Sequence, residues 1–553
     1  MWKTARFDDD VINPPPVRLW AALPLFLGGA EPGDTDSRLD VGDIGDAFWN
    51  ANGKRARFWF FLGRLMIIPL ATMTGLAIAV WSRAWYGDRS ALVSVLIWTC
   101  CPTAIANASI VTHDLPLAAF WVITVLALAR FAEDGTWQRA VQFGAALGAA
   151  LLTKLTAVIL IPLCIVLWFI LRIKQATPSD SIQAAAGSRM SAIAAVARLS
   201  CWKLITRWIG ALGLAVLMIN ACYLFRGSGT ALGDLKLSGS QLQAMQQAAS
   251  SIGWLPIPIP RDYVAAIDRL AQDLDRKHPV YLDGEWRDRP FSWYYAAALV
   301  YKMPLSNLAL ILAGLVAFAW PRRNSCDFRH GLFLLTAALT LPVLASQSSN
   351  QIGIRYVLPA IPILCIFAGQ SGRWLDGTSA HNSWARRLVW FTAWMTVFVA
   401  PLSLRFHPHH LAYFNYLAGG PDGGGWHLVD SNVDWGQDLH ALHKYLDNEK
   451  IQDIGLAYFG TVVPSTIGID AHEPPRNFPQ PGWYAISVNF VHGRPHVLRV
   501  SKGERVQVGL GEFSYFRAFE PVATIGYSIN VYHLTPQDVS RYAFQLQKAQ
   551  RSR

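Results

Sequence analysis

The chain has 553 residues, of which 52% are hydrophobic and only 15% are charged. Soluble globular proteins carry about 25% charged residues, so this deficit argues against an ordinary soluble enzyme, and the apolar content excludes a disordered chain. The 23 Trp and 27 Phe add to this, because aromatic residues collect at membrane interfaces. The composition predicts a polytopic membrane protein.

The net charge is +11, from 48 Lys and Arg against 37 Asp and Glu. In a soluble protein this excess would favour nucleic-acid binding, but no RNA- or DNA-binding motif accompanies it. Basic residues that flank membrane spans on the cytoplasmic side explain it better. The seven Cys include no Cys-x-x-Cys pair, and none lies in the polar stretches 226–304 or after 405, so neither a cysteine metal site nor a disulfide there is predicted.

The first 56 residues precede any predicted span. The sequence NPPPVR at 13–18 leads into an apolar stretch, 19–27, that is too short to cross a bilayer. The prolines fix an extended entry, so we expect a helix that lies in the membrane interface. Its role is left open between a plain anchor and a functional element.

Apolar runs close to the ~20 residues that a bilayer requires predict about ten spans. They are 58–82, 91–111, 115–131, 139–153, 156–172, 206–225, 305–321, 330–346, 356–369 and 387–404.

Two basic loops set the predicted orientation. The loop 172–207 holds six basic residues and one acid, and the loop after 320 holds Arg322, Arg323 and Arg329, so both should be cytoplasmic. This places 226–304 and everything after 405 outside the cytoplasm. Counting back puts the first 56 residues outside as well, although Lys54 and its neighbours favour the opposite. We therefore expect either a chain that lacks one N-terminal helix or a topology that is wrong by one span.

Three regions follow from this reading. Residues 1–56 are an extracytoplasmic loop with an interfacial helix, and 57–404 are the transmembrane domain, including the extracytoplasmic loop 226–304. Residues 405–553 are a C-terminal extracytoplasmic α+β domain, with strand-like runs at 482–491 and 525–534.

The first candidate site residues are His113 and Asp114, between two apolar runs. An acid and a histidine at a membrane boundary are costly to desolvate unless they have a partner or a role. Asp114 could act as a base, orient a nucleophile or, with His113, hold a cation. The structural alternative is a helix N-cap, because Asp before Leu-Pro is a common helix start.

Three cations and a phenol are predicted at the same membrane face. They are Lys154, Lys302, Arg355 and Tyr356, each at the end of an apolar segment. Such a group suits the phosphate of a lipid carrier. Lys154 could instead be a lysine that only extends its ammonium towards water.

A dense polar motif follows the last span, DSNVDWGQD at 430–438. Its Asp430, Asn432, Asp434, Trp435 and Gln437 are residue types that bind and stack on sugars, and the same density would suit a cation. Alternatively, Asp and Asn build turns, and a helix could simply begin at Asp434. No phosphate-binding Gly-x-x-x-x-Gly-Lys loop, serine-hydrolase elbow or His-Glu-x-x-His motif occurs.

The segments 13–27, 112–114, 151–156, 355–362 and 430–439 resemble, in this order, bacterial membrane glycosyltransferases of the protein mannosyltransferase / aminoarabinose transferase superfamily, which have the GT-C fold. The last segment resembles a subgroup with a carboxy-terminal extracytoplasmic domain. The resemblance implies a polytopic α-helical GT-C-like protein that moves a sugar from a polyprenyl-phosphate donor to an extracytoplasmic glycan, lipid or protein. It also implies the plasma membrane as the location.

The resemblance assigns roles as well. Asp114 matches a second acid of the family, at the outer end of a span. Arg355 and Tyr356, with Lys154, fall where the family surrounds the donor phosphate. The principal loop acid of the family lies upstream of the Asn-Pro-Pro motif, and here only Asp8–Asp10 could supply it. A divalent cation is left open as a cofactor.

Two other functions compete with this one. A catalytically inactive, sugar-binding relative would lack the principal loop acid. A secondary transporter would also place acids and cations within the membrane, but it should show repeated halves, which the sequence does not.

Overall fold

The computed structural model describes Trp2 and residues 13–33, 41–172, 190–319, 325–376, 383–499 and 505–551. Among the predicted features, Asp8–Asp10, residues 173–189 of the first basic loop, and Arg322 and Arg323 lie outside the described residues.

Helices make up most of the chain before residue 405. Within the described residues, the first ten are Pro16–Leu27, Val41–Asn52, Ala56–Leu65, Ile68–Tyr86, Asp88–Thr99, Pro102–Ala108, Asp114–Asp134, Trp137–Leu151, Leu160–Arg172 and Met190–Cys222. After the loop 226–293 come Tyr294–Lys302, Leu305–Ala319, Ser325–Ala345, Ala360–Ala368 and Ser383–Leu404. Their facing sides bury large rings, among them Trp121, Phe131, Phe143 and Phe333.

Helix ends follow ordinary capping chemistry. Asp114–Asp134 ends at Gly135, whose φ of 60° is left-handed and whose N–H donates to Phe131 O at 2.9 Å. The next helix begins at once, because the Thr136 hydroxyl accepts from Arg139 N at 3.3 Å. This two-residue turn makes the helices antiparallel, so the loop after Leu151 returns to the end of the bundle where Asp114 lies.

In the described ranges, six helices are long and apolar enough to cross a membrane, or eight if each of two bent pairs is one span. The bent pairs are Asp88–Thr99 with Pro102–Ala108, at 61°, and Tyr294–Lys302 with Leu305–Ala319, at 117°. All ten predicted apolar runs coincide with helices. The described residues hold at most eight candidate spans and not ten, because the helices Trp137–Leu151 and Ala360–Ala368 have only 15 and 9 residues and are shorter than a bilayer requires.

The loop 226–293 folds over the Asp114 end of the bundle. It contains the helices Ser240–Ala248 and Arg261–Asp275 and the antiparallel hairpin of β1 (Val280–Leu282) and β2 (Glu285–Arg287). The Tyr263 hydroxyl donates to Leu151 O at 3.0 Å, so the second helix rests on a helix end of the bundle.

The C-terminal region contains the helices Gly420–His427, Leu439–Glu449, Val488–Val491 and Pro536–Arg551. Its strands are β3 (Gly455–Ala457), β4 (Gly482–Ser487), β5 (His496–Arg499), β6 (Arg505–Val508), β7 (Ala523–Ile525) and β8 (Ile529–Leu534). Strands β3, β4, β8 and β7 form one sheet in that order, in which only β3 and β4 are parallel, while β5 and β6 form a hairpin.

Alternating side chains explain why this sheet has a core on each face. Along β4, Tyr484 and Ile486 join one apolar cluster with Phe490, whereas Ala485 joins the other, with Leu442 of the helix Leu439–Glu449.

The C-terminal elements differ in their bounds from those predicted. The predicted strand 482–491 ends at Ser487, because a helical turn begins at Val488. The predicted helix at Asp434 begins only at Leu439. The predicted fold class, a polytopic α-helical membrane protein with an α+β C-terminal region, is confirmed.

The C-terminal region packs on the Asp114 end of the bundle, against the hairpin of β1 and β2. Trp286 Nε1 donates to His492 O at 2.8 Å, and the Tyr281 hydroxyl donates to Trp426 O at 3.0 Å. Parts of the chain about two hundred residues apart in sequence thus meet where the site residues lie.

Candidate active site at the Asp114 end of the bundle

Asp114 and Lys154 form a buried ion pair. Asp114 is the first residue of the helix Asp114–Asp134, its side chain is 3% exposed, and Lys154 Nζ donates to Oδ1 at 2.6 Å. The helix-cap alternative does not hold, because His113 occupies the cap position and the Asp114 carboxylate points to the cation. A nearly buried carboxylate requires such a partner.

His113 holds the Lys154 loop in place. The Nδ1–H of His113 donates to the Thr153 carbonyl at 2.9 Å. Lys154 itself has an extended backbone, which separates the helix Trp137–Leu151 from the turn Leu155–Ile159. The predicted catalytic histidine therefore contacts the main chain of the loop that supplies the first cation.

Arg355 brings a second positive charge to the same carboxylate. Its Nη1 lies 3.7 Å from Asp114 Oδ2, and its side chain is 20% exposed. The Arg355 guanidinium lies over the rings of Tyr356, at 5.1 Å, and of Trp435, at 4.3 Å, while Lys154 Nζ lies 4.3 Å from the Tyr356 ring centre. These contacts join two cations, one carboxylate and two electron-rich ring faces in one cluster.

This cluster carries a net charge of +1 from Lys154, Arg355 and Asp114. Because it is largely shielded from water, its surplus positive charge is screened less than a surface charge would be. A phosphate oxygen is the type of ligand that a guanidinium and an ammonium bind by charge-assisted hydrogen bonds. The arrangement can thus accept an anion at the end of the helix bundle.

The C-terminal region holds the main chain around Arg355. Ile354 N donates to Asn432 Oδ1 at 3.0 Å, and the Ser431 hydroxyl donates to Ile352 O at 2.8 Å. Gly353 lies between these contacts, where a Cβ would overlap the Ser431 hydroxyl. The motif 430–438 therefore fixes the turn that presents the guanidinium.

Lys302 supports the same turn indirectly, through the main chain of Asn432. It is 2% exposed, and its Nζ donates to Asn432 O at 2.6 Å and to Leu411 O at 2.8 Å, with the Phe414 ring centre at 4.2 Å. Both of these hydrogen bonds go to main-chain carbonyls. Lys302, predicted to bind the donor phosphate, thus ties the bundle to the C-terminal region.

Asp430 and Asp434 are engaged within the C-terminal region. Asp430 pairs with Arg494 at 2.9 Å and receives the N–H of Ser431 at 2.6 Å. Asp434 is fully buried, accepts from Gly436 N at 2.8 Å and from the Ser487 hydroxyl at 2.5 Å, and burial raises its pKa to about 7.

Trp435 and Gln437 differ from these acids in exposure. Trp435 is half-buried and reaches Arg355, whereas Gln437 is exposed and accepts from Trp435 N at 2.7 Å through Oε1. Among the five residues predicted to bind sugar, Trp435 is the one in contact with the ion cluster.

Sequence reasoning did not single out His410 as a site residue. A cavity of about 10 Å³, room for one water molecule, is lined by residues that include Arg355, Lys302, Trp435 and His410. In the described structure Arg355 Nε and His410 Nδ1 have no hydrogen-bond partner. Burial, and then the neighbouring His407 and His409, lower the pKa of His410, which favours its neutral form. Its position beside Arg355 depends on the tertiary fold, which no local pattern indicates.

The residues around Asp114 do not suit a divalent cation. The carboxylate already faces an ammonium and a guanidinium, which would repel a metal ion. Within the described ranges, no group of three or more His, Cys, Asp or Glu side chains is arranged to hold a metal.

Residues 60–222 match the family model described as dolichyl-phosphate-mannose-protein mannosyltransferase. No curated protein matches the chain.

Two solved structures of ArnT from Cupriavidus metallidurans are similar to the chain. The crystal structure bound to undecaprenyl phosphate has 13% identity and a TM-score of 0.40, covering 94% of this chain and 87% of that one. The apo crystal structure has 16% identity and a TM-score of 0.38, covering 93% and 97%. The family match includes Asp114 and Lys154, and it confirms the resemblance of this chain to membrane glycosyltransferases of the protein mannosyltransferase superfamily.

Proposed function

We propose that this chain is a membrane glycosyltransferase that takes its sugar from a polyprenyl-phosphate donor. The observation that carries the proposal is the cluster of Asp114, Lys154 and Arg355, a shielded site with surplus positive charge at the end of a membrane bundle. The family description, which includes a dolichyl-phosphate donor, supports a lipid phosphate as the anion.

The chemistry that such a site can perform follows from its charges. In transfer, the bond between the sugar C1 and the phosphate oxygen breaks, and its electrons stay on the phosphate. The acceptor hydroxyl oxygen forms the new bond to C1 and loses its proton. Lys154 and Arg355 would stabilise the charge that develops on the departing phosphate.

We assign to Asp114 chiefly the role of positioning Lys154 and Arg355. Its carboxylate contacts both cations, so it sets their spacing before the donor arrives. A phosphate that binds both cations would compete with this pairing and leave a carboxylate oxygen able to receive the acceptor proton. Tyr356 and Trp435 would keep the guanidinium in one orientation through their ring faces.

We also propose that the Asp114 end of the bundle and the region 405–553 lie outside the cytoplasm. The opposite end carries basic residues at helix ends and in short loops, which the positive-inside rule assigns to the cytoplasm. Described examples are Arg83, Arg89, Arg130, Arg139, Arg172, Arg207 and Arg329. A lipid-linked donor and an extracytoplasmic glycan, lipid or protein could then meet at the site.

A transfer assay tests the proposal. Purified full-length protein in vesicles is mixed with radiolabelled polyprenyl-phosphate sugars and native membranes as the source of acceptor. We expect the unsubstituted protein to transfer the label. Arg355→Ala should raise the donor KM and lower kcat. Arg355→Lys should recover part of this loss, because lysine keeps the positive charge but lacks the planar guanidinium.

Arg139→Ala is the matched control. Arg139 also pairs with an acid, Asp134 at 3.0 Å, but at the opposite end of the bundle, so its loss should leave donor dependence unchanged. Donor KM and kcat unaltered in Arg355→Ala would contradict the role of Arg355. Absence of transfer across a panel of donors, with binding retained, would favour an inactive sugar-binding relative.

A further inference from the structure

A group of exposed apolar side chains lies just beyond the helix Met190–Cys222. We call this group the apolar rim; it consists of Leu224, Phe225, Met245, Ile252, Trp254 and Leu255. Trp254 is the most exposed, at 73%. Soluble surfaces seldom leave so many large apolar side chains uncovered in one small segment, so the rim calls for a partner.

Hydrogen bonds hold the second half of the rim at the end of a membrane span. Asn220, in the last turn of the candidate span Trp202–Cys222, donates from Nδ2 to Pro258 O at 2.8 Å. Gly229 N donates to Ile257 O at 2.9 Å, and Gly233 N donates to Gly253 O at 2.8 Å. Residues 252–257 therefore run beside 229–233, only a few residues from the point where the span ends.

The segment around the rim is an ordered fold and not a frayed end. Asp268 accepts from Ser238 N at 2.8 Å and from Gly239 N at 2.9 Å, and Gln246 Nε2 donates to Leu232 O at 2.6 Å. These bonds satisfy the main chain of the loop while its apolar side chains stay outside. The rim is thus a surface presented by a folded segment.

We propose that the apolar rim inserts into the lipid headgroup layer on the Asp114 side of the membrane. Its Leu224 and Phe225 directly follow the span, so the rim continues a surface that lipid already covers. Tryptophan prefers this interface, because its ring is apolar and its N–H can still reach water. The nearby charges of Arg226, Asp234 and Lys236 nearly cancel, so apolar area and not charge drives the contact.

Depth-dependent fluorescence quenching tests the proposal. An environment-sensitive fluorescent amino acid replaces Trp254 by stop-codon suppression, in full-length protein reconstituted into phosphatidylcholine vesicles. Lipids with a nitroxide near the headgroup or deep in the acyl chain quench from the membrane, and iodide quenches from water. Phe544, 68% exposed in the C-terminal region, and Val397, 62% exposed near the middle of the candidate span Arg386–Leu404, are the matched positions for water and for the acyl chains.

We expect the label at 254 to be quenched several-fold more by the headgroup nitroxide than the label at 544, and less by the deep nitroxide than the label at 397. High salt should not change this result. Quenching at 254 by iodide alone, as at 544, would overturn the proposal. Protection from iodide and from both lipid quenchers would also overturn it, because a protein surface would then cover the rim. None of these outcomes depends on glycosyl transfer.

Discussion

Replacing Asp114 by Asn should destabilise the protein and also abolish transfer. With an effective dielectric of about 20, the attraction over 2.6 Å to Lys154 is on the order of 6 kcal/mol, and that over 3.7 Å to Arg355 on the order of 4 kcal/mol. The net effect is smaller, because Lys154 and Arg355 are 14% and 20% exposed and water can replace part of the interaction. Removing one partner of a buried pair costs about 3–5 kcal/mol, and we expect the lower end.

A second substitution separates this structural effect from the chemistry. In Asp114→Asn, the ammonium of Lys154 is left without its carboxylate beside Arg355. Lys154→Met in the same chain removes that ammonium and keeps most of the side-chain volume, so the double variant should regain much of the lost stability. Transfer should stay lost in both variants, because the double variant lacks one of the proposed phosphate ligands.

The measurements are denaturant unfolding in detergent and labelled-donor transfer in vesicles. If Asp114→Asn unfolds as the unsubstituted protein does, the ion cluster does not contribute to the fold as its geometry implies. If the double variant recovers transfer as well as stability, Lys154 is not a ligand of the donor and the proposed site is wrong.

Four further substitutions test the turn that presents Arg355 and the packing of the C-terminal region beside it. Lys302→Met should lower the free energy of unfolding by about 2 kcal/mol, since two hydrogen bonds from Nζ to buried carbonyls are lost; unchanged unfolding would contradict this role. Gly353→Ala should raise donor KM by displacing the turn, and adding Ser431→Ala should reverse this only in part, because it removes the overlapping hydroxyl but also the hydrogen bond to Ile352 O. Asp434, with a pKa raised to about 7, binds its proton more tightly in the folded than in the unfolded state, so its contribution to stability is full below about pH 4 and is lost as the pH rises through about 7. Asp434→Asn should flatten this pH dependence of unfolding, and an unaltered pH profile would contradict the raised pKa of Asp434.

The meeting of Asp114, Lys154 and Arg355 at one face could be predicted because each lies at the end of an apolar run. The direction of successive spans decides at which face each end emerges, and counting spans is robust to errors of a few residues in their bounds. The same reasoning gave ten apolar runs, all of which are helical. It could not show that two of these helices are too short to span, because composition does not reveal where a helix breaks.

The partners of the polar side chains could not be predicted in the same way. Lys302 resembles Lys154 in sequence, a lone cation at the end of an apolar stretch. Its ammonium is nonetheless directed to the carbonyls of Leu411 and Asn432, more than one hundred residues away. Likewise, the motif 430–438 has the composition of a sugar site, but burial of Asp434 among its own hydrogen-bond partners depends on the packing of a sheet that forms later in the chain.

The placement of Arg355 explains why the C-terminal region belongs to the proposed active site even though most of its polar residues do not reach the cluster. A guanidinium on a long side chain has many rotamers, and ordering it on donor binding would cost affinity. Here Asn432 and Ser431 fix the main chain on both sides of Gly353, and Trp435 covers the guanidinium from the side of the C-terminal region. The helix bundle supplies Asp114 and Lys154. Arg355, the second cation, is held at a fixed distance from them only because the C-terminal region packs against its turn. A bundle without residues 405–553 would therefore keep the carboxylate and one cation and lose the fixed geometry that a phosphate requires.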